Sequence, residues 1–267
     1  MYAFTYHRAT SARQAANLLV KAEDAKLLAG GQTLLPTMKQ RLASPTHLID
    51  LGKVDDLKGI EIKGKTIVIG AMTTHAEVAA SPAVQANLPG LAALANGIGD
   101  AHVRHKGTIG GSVANNDPAA DYPAGLMALN ATIVTNKRRI AADDYFQGMF
   151  TTALEDGEMI TKVIFPAASK FAYAKFPNPA SRYALVGVAV AKKGASVRVA
   201  VTGAGDNGVF RWKDAETALS VKFNAKSVEG LKATSKNLNG DIHASVEYRA
   251  HLIGVMAKRA VMAATGK

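Results

Sequence analysis

The chain contains no cysteine among its 267 residues. Disulfides, thiolate zinc sites and cysteine-ligated iron–sulfur clusters are therefore excluded from it. No run approaches the roughly 18 consecutive apolar residues of a transmembrane helix. The N-terminal Met1-Tyr2-Ala3-Phe4-Thr5 stretch lacks the apolar centre of a secretory signal, so a cytoplasmic chain without a membrane span is expected. Internal repeats and low-complexity segments are missing. No Ser/His/Asp constellation points to a nucleophile and no His/Cys cluster to a metal, so neither catalytic nor metal-ligating residues are assigned.

What is present is apolar content and positive charge. At 48% hydrophobic, the chain is long enough for a real core in two or three subdomains. Lys and Arg number 32 against 21 Asp and Glu, a formal charge of +11. These basic residues are scattered. Lys137-Arg138-Arg139 is the one tight cluster and no aromatic interleaves with it, which argues against nucleic acid. An acidic partner, an anionic ligand or solubility alone would each account for the charge.

Two glycine segments stand out. In Leu27-Leu28-Ala29-Gly30-Gly31-Gln32-Thr33-Leu34-Leu35-Pro36, an apolar run leads into paired glycines and then a helix that tolerates Pro36 in its first turn. Paired glycines permit positive φ and let backbone N–H groups approach a ligand such as a diphosphate. Taken alone, the pair is an ordinary turn. The second segment, Thr108-Ile109-Gly110-Gly111-Ser112, reads as a glycine turn followed by Asn115, Asn116, Asp117 and Asp121. Asp117 or Asp121 could accept hydrogen bonds from sugar-like hydroxyls. The alternative is an Asx-rich loop in which Asp121 caps a helix containing Ala124–Leu129.

Local patterns give the rest. Ser11 with Gln14 resembles a capping box opening a helix to about Ala22. Lys26–Ala29 and His47–Leu51 read as strands around a helix reaching about Leu42. This unit has no GxGxxG and is not a doubly wound dinucleotide fold. Ile60–Lys63 and Thr66–Gly70 form a hairpin about Gly64-Lys65. A short helix capped by Thr73 or Thr74, a helix over 89–96, strands over 131–135 and 139–140, and a strand over 159–165 follow. The stretch 167–170 is the expected linker. Beyond it lie a three-stranded antiparallel meander (171–176, 184–192, 196–202) and helices over 214–220, 227–238 and 243–264. The expected domains are 1–168, comprising an α/β part (1–55) and a mostly antiparallel part (56–168), and 169–267.

The two glycine segments, in this order, together with Tyr248-Arg249-Ala250-His251-Leu252 near the end, resemble the FAD-binding medium subunit of molybdenum hydroxylases of the carbon monoxide dehydrogenase, xanthine dehydrogenase and aldehyde oxidoreductase type. The resemblance implies an α+β, two-subdomain FAD-binding fold of the vanillyl-alcohol-oxidase/PCMH type. A small domain with a three-stranded antiparallel sheet and a helical bundle would follow. It also implies that Leu28, Ala29, Gly30, Gly31, Gln32, Thr33 and Leu34 hold the pyrophosphate. Thr108, Ile109, Gly110, Gly111 and Ser112 would run under the ribityl chain and flavin, with Asn116 and Asp121 near phosphate and sugar hydroxyls and Asn115 a further cofactor contact. Leu48 and Ile49 would wall the adenine, and His75, Ile160, Lys175 and Tyr183 would be further contacts. For His75 a structural hydrogen bond is the competing role, and for Lys175 a solvated strand position. One departure concerns Arg182, a cation where relatives commonly carry Asp, which would favour negative charge on the ring.

The function so implied is that of an oxidoreductase subunit. Electrons would come from a molybdopterin cofactor on a large subunit through [2Fe-2S] clusters on a small subunit, in a dimer of heterotrimers. NAD, a quinone or oxygen would be the acceptor. The absence of cysteine agrees with clusters held elsewhere. Two other readings compete: a stand-alone flavin-dependent reductase or oxidase of the same fold, and a basic binding module without flavin.

Overall fold

The structure is a computed structural model and describes residues 1–266. Three parallel strands open the chain: β1 (Thr5–Arg8), β2 (Ala25–Leu28) and β3 (His47–Asp50). They are ordered β1-β3-β2, with α1 (Ala12–Lys21) and α2 (Leu34–Lys39) as crossovers. Ser11 caps α1 by accepting from the Gln14 N–H. Gln14 reaches back to the N–H of Thr10 at 2.8 Å, so the expected capping box closes one residue further out. β1 was not anticipated, and α2 stops at Lys39 rather than near Leu42. Because β3 is the central strand, both of its faces are covered. Leu48 and Ile49, which point to opposite faces, are both buried.

The next part builds a five-stranded antiparallel sheet in the order β4-β5-β10-β6-β7. Its strands are β4 (Ile60–Lys63), β5 (Thr66–Gly70), β6 (Thr132–Thr135), β7 (Arg139–Ala141) and β10 (Ile160–Pro166). Lys63 pairs with Thr66, so the hairpin turns on Gly64-Lys65 as the sequence predicts. Between β5 and β6 lie six helices: α3 (His75–Ala80), α4 (Pro82–Asn87), α5 (Pro89–Asn96), α6 (Ala101–Lys106), α7 (Ile109–Asn115) and α8 (Asp121–Leu129). Thr74 caps α3 in a full capping box with Glu77. A short α9 (Ala142–Tyr145) and the hairpin β8 (Phe146–Gly148) and β9 (Thr151–Thr152) precede β10.

The last part carries four antiparallel strands, not three: β11 (Lys170–Pro177), β12 (Ala184–Lys193), β13 (Ser196–Thr202) and β14 (Phe210–Arg211). Two helices cover this sheet, α10 (Lys213–Val221) and α11 (Val246–Thr265). The helix expected over 227–238 does not form. Only a 3-10 turn spans Ala225–Val228, because Gly230 (φ +80°) and Asn237 (φ +65°) turn the chain out of register for a helix. The expected helical bundle is therefore a pair of helices on a sheet.

Ala189, Ala191 and Ala200 of this sheet enter the same hydrophobic core as Ile69, Leu126 and Phe165. The two parts are joined by packing rather than by a linker alone. Thr202 fixes that junction: its hydroxyl reaches the carbonyls of Pro118 (3.0 Å) and Ala120 (2.7 Å). Gly203 N–H donates to Pro118 as well.

Candidate functional site

At the C-terminal end of β2 the chain leaves the parallel sheet through Ala29, Gly30 and Gly31, the position where open α/β sheets present ligands. Gly31 takes φ +72°, which a side chain would strain. Among the described residues, the N–H groups of Gly30, Gly31, Gln32, Thr33 and Leu34 meet no protein acceptor. Five consecutive donors thus end in the uncapped start of α2, where Thr33 makes no side-chain cap. Such a run is an anion cradle with the backbone itself as ligand.

The second glycine segment lies against the first. A Cβ at Gly30 would sit 2.1 Å from the Lys106 carbonyl oxygen and 2.8 Å from the Gly107 Cα, and one at Gly111 would sit 3.6 Å from the Ala29 Cβ. This segment is not a turn, however. It is the first part of α7, with Thr108 as cap accepting from the Gly111 N–H. Its N–H groups are occupied: Ile109 donates to Thr73, Gly110 to Ala71 and Ser112 to Thr108. Gly110 is required by packing, since a Cβ there would lie 2.7 Å from the Ala71 carbonyl oxygen. The donors of the site therefore come from the first segment, and close backbone approach from the second. The side chains of Gln32, Thr33, Ser112 and Asn115 hold no protein hydrogen-bond partner among the described residues, which leaves them open to a ligand.

His75 and Asp121 are buried beside this junction. The His75 ring fills the space a Cβ on Gly107 would need, with Nε2 2.6 Å away, and stacks at a tilt on Tyr122. Burial, with Arg104 nearby, pushes its pKa down to about 4, so the ring is neutral at physiological pH. Asp121 does not cap α8. Ala120 is the cap residue, and the carboxylate instead accepts from the Tyr173 hydroxyl (2.5 Å) and the Lys175 ammonium (3.1 Å). Burial pushes the Asp121 carboxyl up while Lys175 and Tyr173 hold it back. Lys175 is neither solvated nor free. It also donates to the carbonyls of Gly97 (2.7 Å) and Arg182 (3.1 Å). Tyr183 stands half out of the surface, its hydroxyl pKa raised by burial and by Asp117 and Asp121.

Several expected contacts are turned away from any ligand in this structure. Leu48 and Ile49 are enclosed at 2% and 0% exposure, so they offer no open wall. Ile109 and Ile160 point into the core of the antiparallel part. Asn116, left-handed at the end of α7, directs its side-chain amide inward to the carbonyls of Gly148 (2.7 Å) and Thr151 (2.8 Å). Sequence reasoning also missed contributors. The Lys106-Gly107 backbone and the Tyr173 hydroxyl are recognisable only once the chain has folded, although Tyr173 lies two residues before Lys175 and so shares its strand face. A groove of about 500 Å³ among α3, α5 and α6 includes neither glycine segment; the site is marked by backbone chemistry, not by cavity size.

A donor-lined turn after a parallel strand, set against a glycine-started helix and followed by a separate antiparallel sheet, defines an anion-binding protein of mixed α/β architecture. Residues 2–168 match the family model described as the FAD binding domain in molybdopterin dehydrogenase, and residues 171–264 match that of the CO dehydrogenase flavoprotein C-terminal domain. The chain therefore belongs to the family of FAD-binding medium subunits of molybdenum hydroxylases. It is 37% identical to the carbon monoxide dehydrogenase medium chain of Hydrogenophaga pseudoflava, over 98% of this chain and 96% of that one. It is 38% identical to the nicotine 6-hydroxylase medium subunit of Paenarthrobacter nicotinovorans, over 98% and 97%. The structure superposes on carbon monoxide dehydrogenase from Hydrogenophaga pseudoflava lacking the Mo-pyranopterin moiety with a TM-score of 0.87, at 36% identity, covering 99% of this chain and 98% of that one. The residues present fit FAD: among the described residues the N–H groups from Gly30 to Leu34 meet no protein acceptor, and such a run of donors suits a diphosphate.

Proposed function

We propose that this chain is the FAD-binding electron-transfer subunit of a heteromeric molybdenum hydroxylase. The carrying observation is the run of N–H groups from Gly30 to Leu34, unpaired among the described residues, beside the Thr108 helix start. In this reading those donors hold the cofactor's diphosphate, with Gln32 and Thr33 adding side-chain contacts. Ser112 and Asn115 face the sugar side, and the buried Asp121 and Lys175 pair fixes charge nearby. When bound, FAD supplies the redox chemistry; the chain binds and orients it and asks no acid–base work of its own residues.

The electron donor is a [2Fe-2S] cluster on a small partner subunit, itself fed by molybdopterin chemistry on a large one, in a dimer of heterotrimers. Among the described residues no helix is long and apolar enough to cross a membrane, which suits the cytoplasmic location proposed. NAD, a quinone or oxygen is the terminal acceptor. The absence of cysteine supports clusters held on another chain. The test is purification of this chain alone and with its co-expressed neighbours. Yellow protein that binds added FAD, with substrate turnover only in the three-chain complex, is the expected result. Colourless protein that refuses FAD overturns the cofactor assignment, and full turnover by the isolated chain overturns the subunit assignment.

A further inference from the structure

Lys175 sits at a junction of three segments that are distant in sequence. Its ammonium has three N–H bonds and three protein acceptors: the Gly97 carbonyl at the end of α5, the Asp121 carboxylate at the start of α8, and the Arg182 carbonyl. Only 11% of its side chain is exposed, against 4% for Asp121. Tyr173, on the same face of β11, holds the other carboxylate oxygen. No donor is left over for a ligand.

The Arg182 carbonyl belongs to the turn joining β11 to β12. That turn is closed by Asn178, whose N–H donates to Tyr183 (2.8 Å) and whose carbonyl accepts from Arg182 (2.9 Å). Its side chain also accepts from Ala180 and Ser181. Arg182 itself is left-handed, φ +62°. An arginine in that conformation is strained and persists where its surroundings hold it. Among the described residues, Lys175 donates the one side-chain hydrogen bond that ties this residue to the buried interior.

We propose that Lys175 is a positioning residue and not a cofactor ligand: with Asp121 and Tyr173 it latches the turn 178–183, and so sets where the Arg182 cation and the Tyr183 ring stand beside the flavin site. This rests on the FAD reading above for the site, though the latch itself is a property of the chain without FAD.

The test uses the full chain as wild type, Lys175→Met, Lys175→Arg and the double variant Lys175→Met with Asp121→Asn. The double variant leaves no unpaired buried carboxylate and keeps the test open if the single one misfolds. Hydrogen exchange is read without FAD at the Arg182 and Tyr183 amides. Expected is an increase of about tenfold or more in Lys175→Met and in the double variant, with β12 and β13 unchanged and partial recovery in Lys175→Arg. FAD affinity should stay within about threefold of wild type. The potential of the bound cofactor should move to a more negative value as the cation loses its fixed place. Unchanged turn exchange overturns the proposal. So does a loss of FAD affinity of about a hundredfold with an unchanged turn, which would make Lys175 a ligand. If wild-type chain binds no FAD, the cofactor reading fails, while the exchange comparison still decides the latch.

Discussion

Glycine identity at Gly30 is a steric demand, not a turn preference. A Cβ would meet the Lys106 carbonyl at 2.1 Å, so Gly30→Ala forces backbone to move. We expect a loss of about 2 kcal/mol or more in urea unfolding, together with weakened FAD binding. Gly64→Ala is the contrast: its φ is +59° but nothing lies within 4 Å, so a cost of about 1 kcal/mol and normal FAD binding should follow. His75 gives a pH prediction. Its folded pKa of about 4 lies below the ordinary 6.5, so the folded state binds fewer protons than the unfolded one between those values. Stability is then fully present above pH 6.5 and declines as pH falls towards 4, by about 3 kcal/mol at most. His75→Leu should remove that part of the acid limb in denaturation curves measured from pH 7 to 4. Gly31 could be read from the sequence because its positive φ is a local need, whereas the steric demand at Gly30 comes from the distant Lys106–Gly107 backbone. The inward role of Asn116 could not, since its partners lie 32 and 35 residues away.

Among the elements, the junction between the antiparallel part and the last sheet shapes the loop after α7. The Thr202 hydroxyl, with Thr202 fully buried, bonds two carbonyls of that loop. Thr202→Val keeps the shape and removes both bonds, leaving the Ala120 carbonyl short of a donor while Pro118 keeps that of Gly203. A loss of about 1–3 kcal/mol is expected, with an unchanged denaturant slope and faster exchange across 117–121. A second tie is ionic: Asp143 on α9 pairs with Arg198 of β13 and Arg211 of β14. With the Asp143 side chain 36% exposed, Asp143→Asn should cost less than Thr202→Val, about 1 kcal/mol or less in the same unfolding assay. The sequence pattern carried the α+β class, the β4–β5 hairpin and most strands, since turn chemistry and alternation are short-range signals. It failed over 227–238, where apolar spacing looked helical but Gly230 breaks the run. It also missed β14 and the β8–β9 hairpin, whose strands of two or three residues are too short to show an alternating pattern.

For the molecule as a whole, charge and fold say different things. The net charge of +11 is a property of the surface, and nothing in the glycine segments depends on it. In the proposed reading, recognition of FAD is instead a matter of where two stretches of backbone, some eighty residues apart, are brought to lie. Each glycine pair by itself reads as a turn. Their juxtaposition turns a local motif into a site, and the second pair proves to be a helix start whose donors are already used. Hydrogen exchange with and without saturating FAD tests this most directly. The account predicts that the amides of Gly30 to Leu34, which have no acceptor among the described residues, slow by about tenfold or more on FAD addition, while those of Ile109 to Ser112, already bonded, change little. Gly30 to Leu34 amides that still exchange freely in FAD-saturated protein would contradict it.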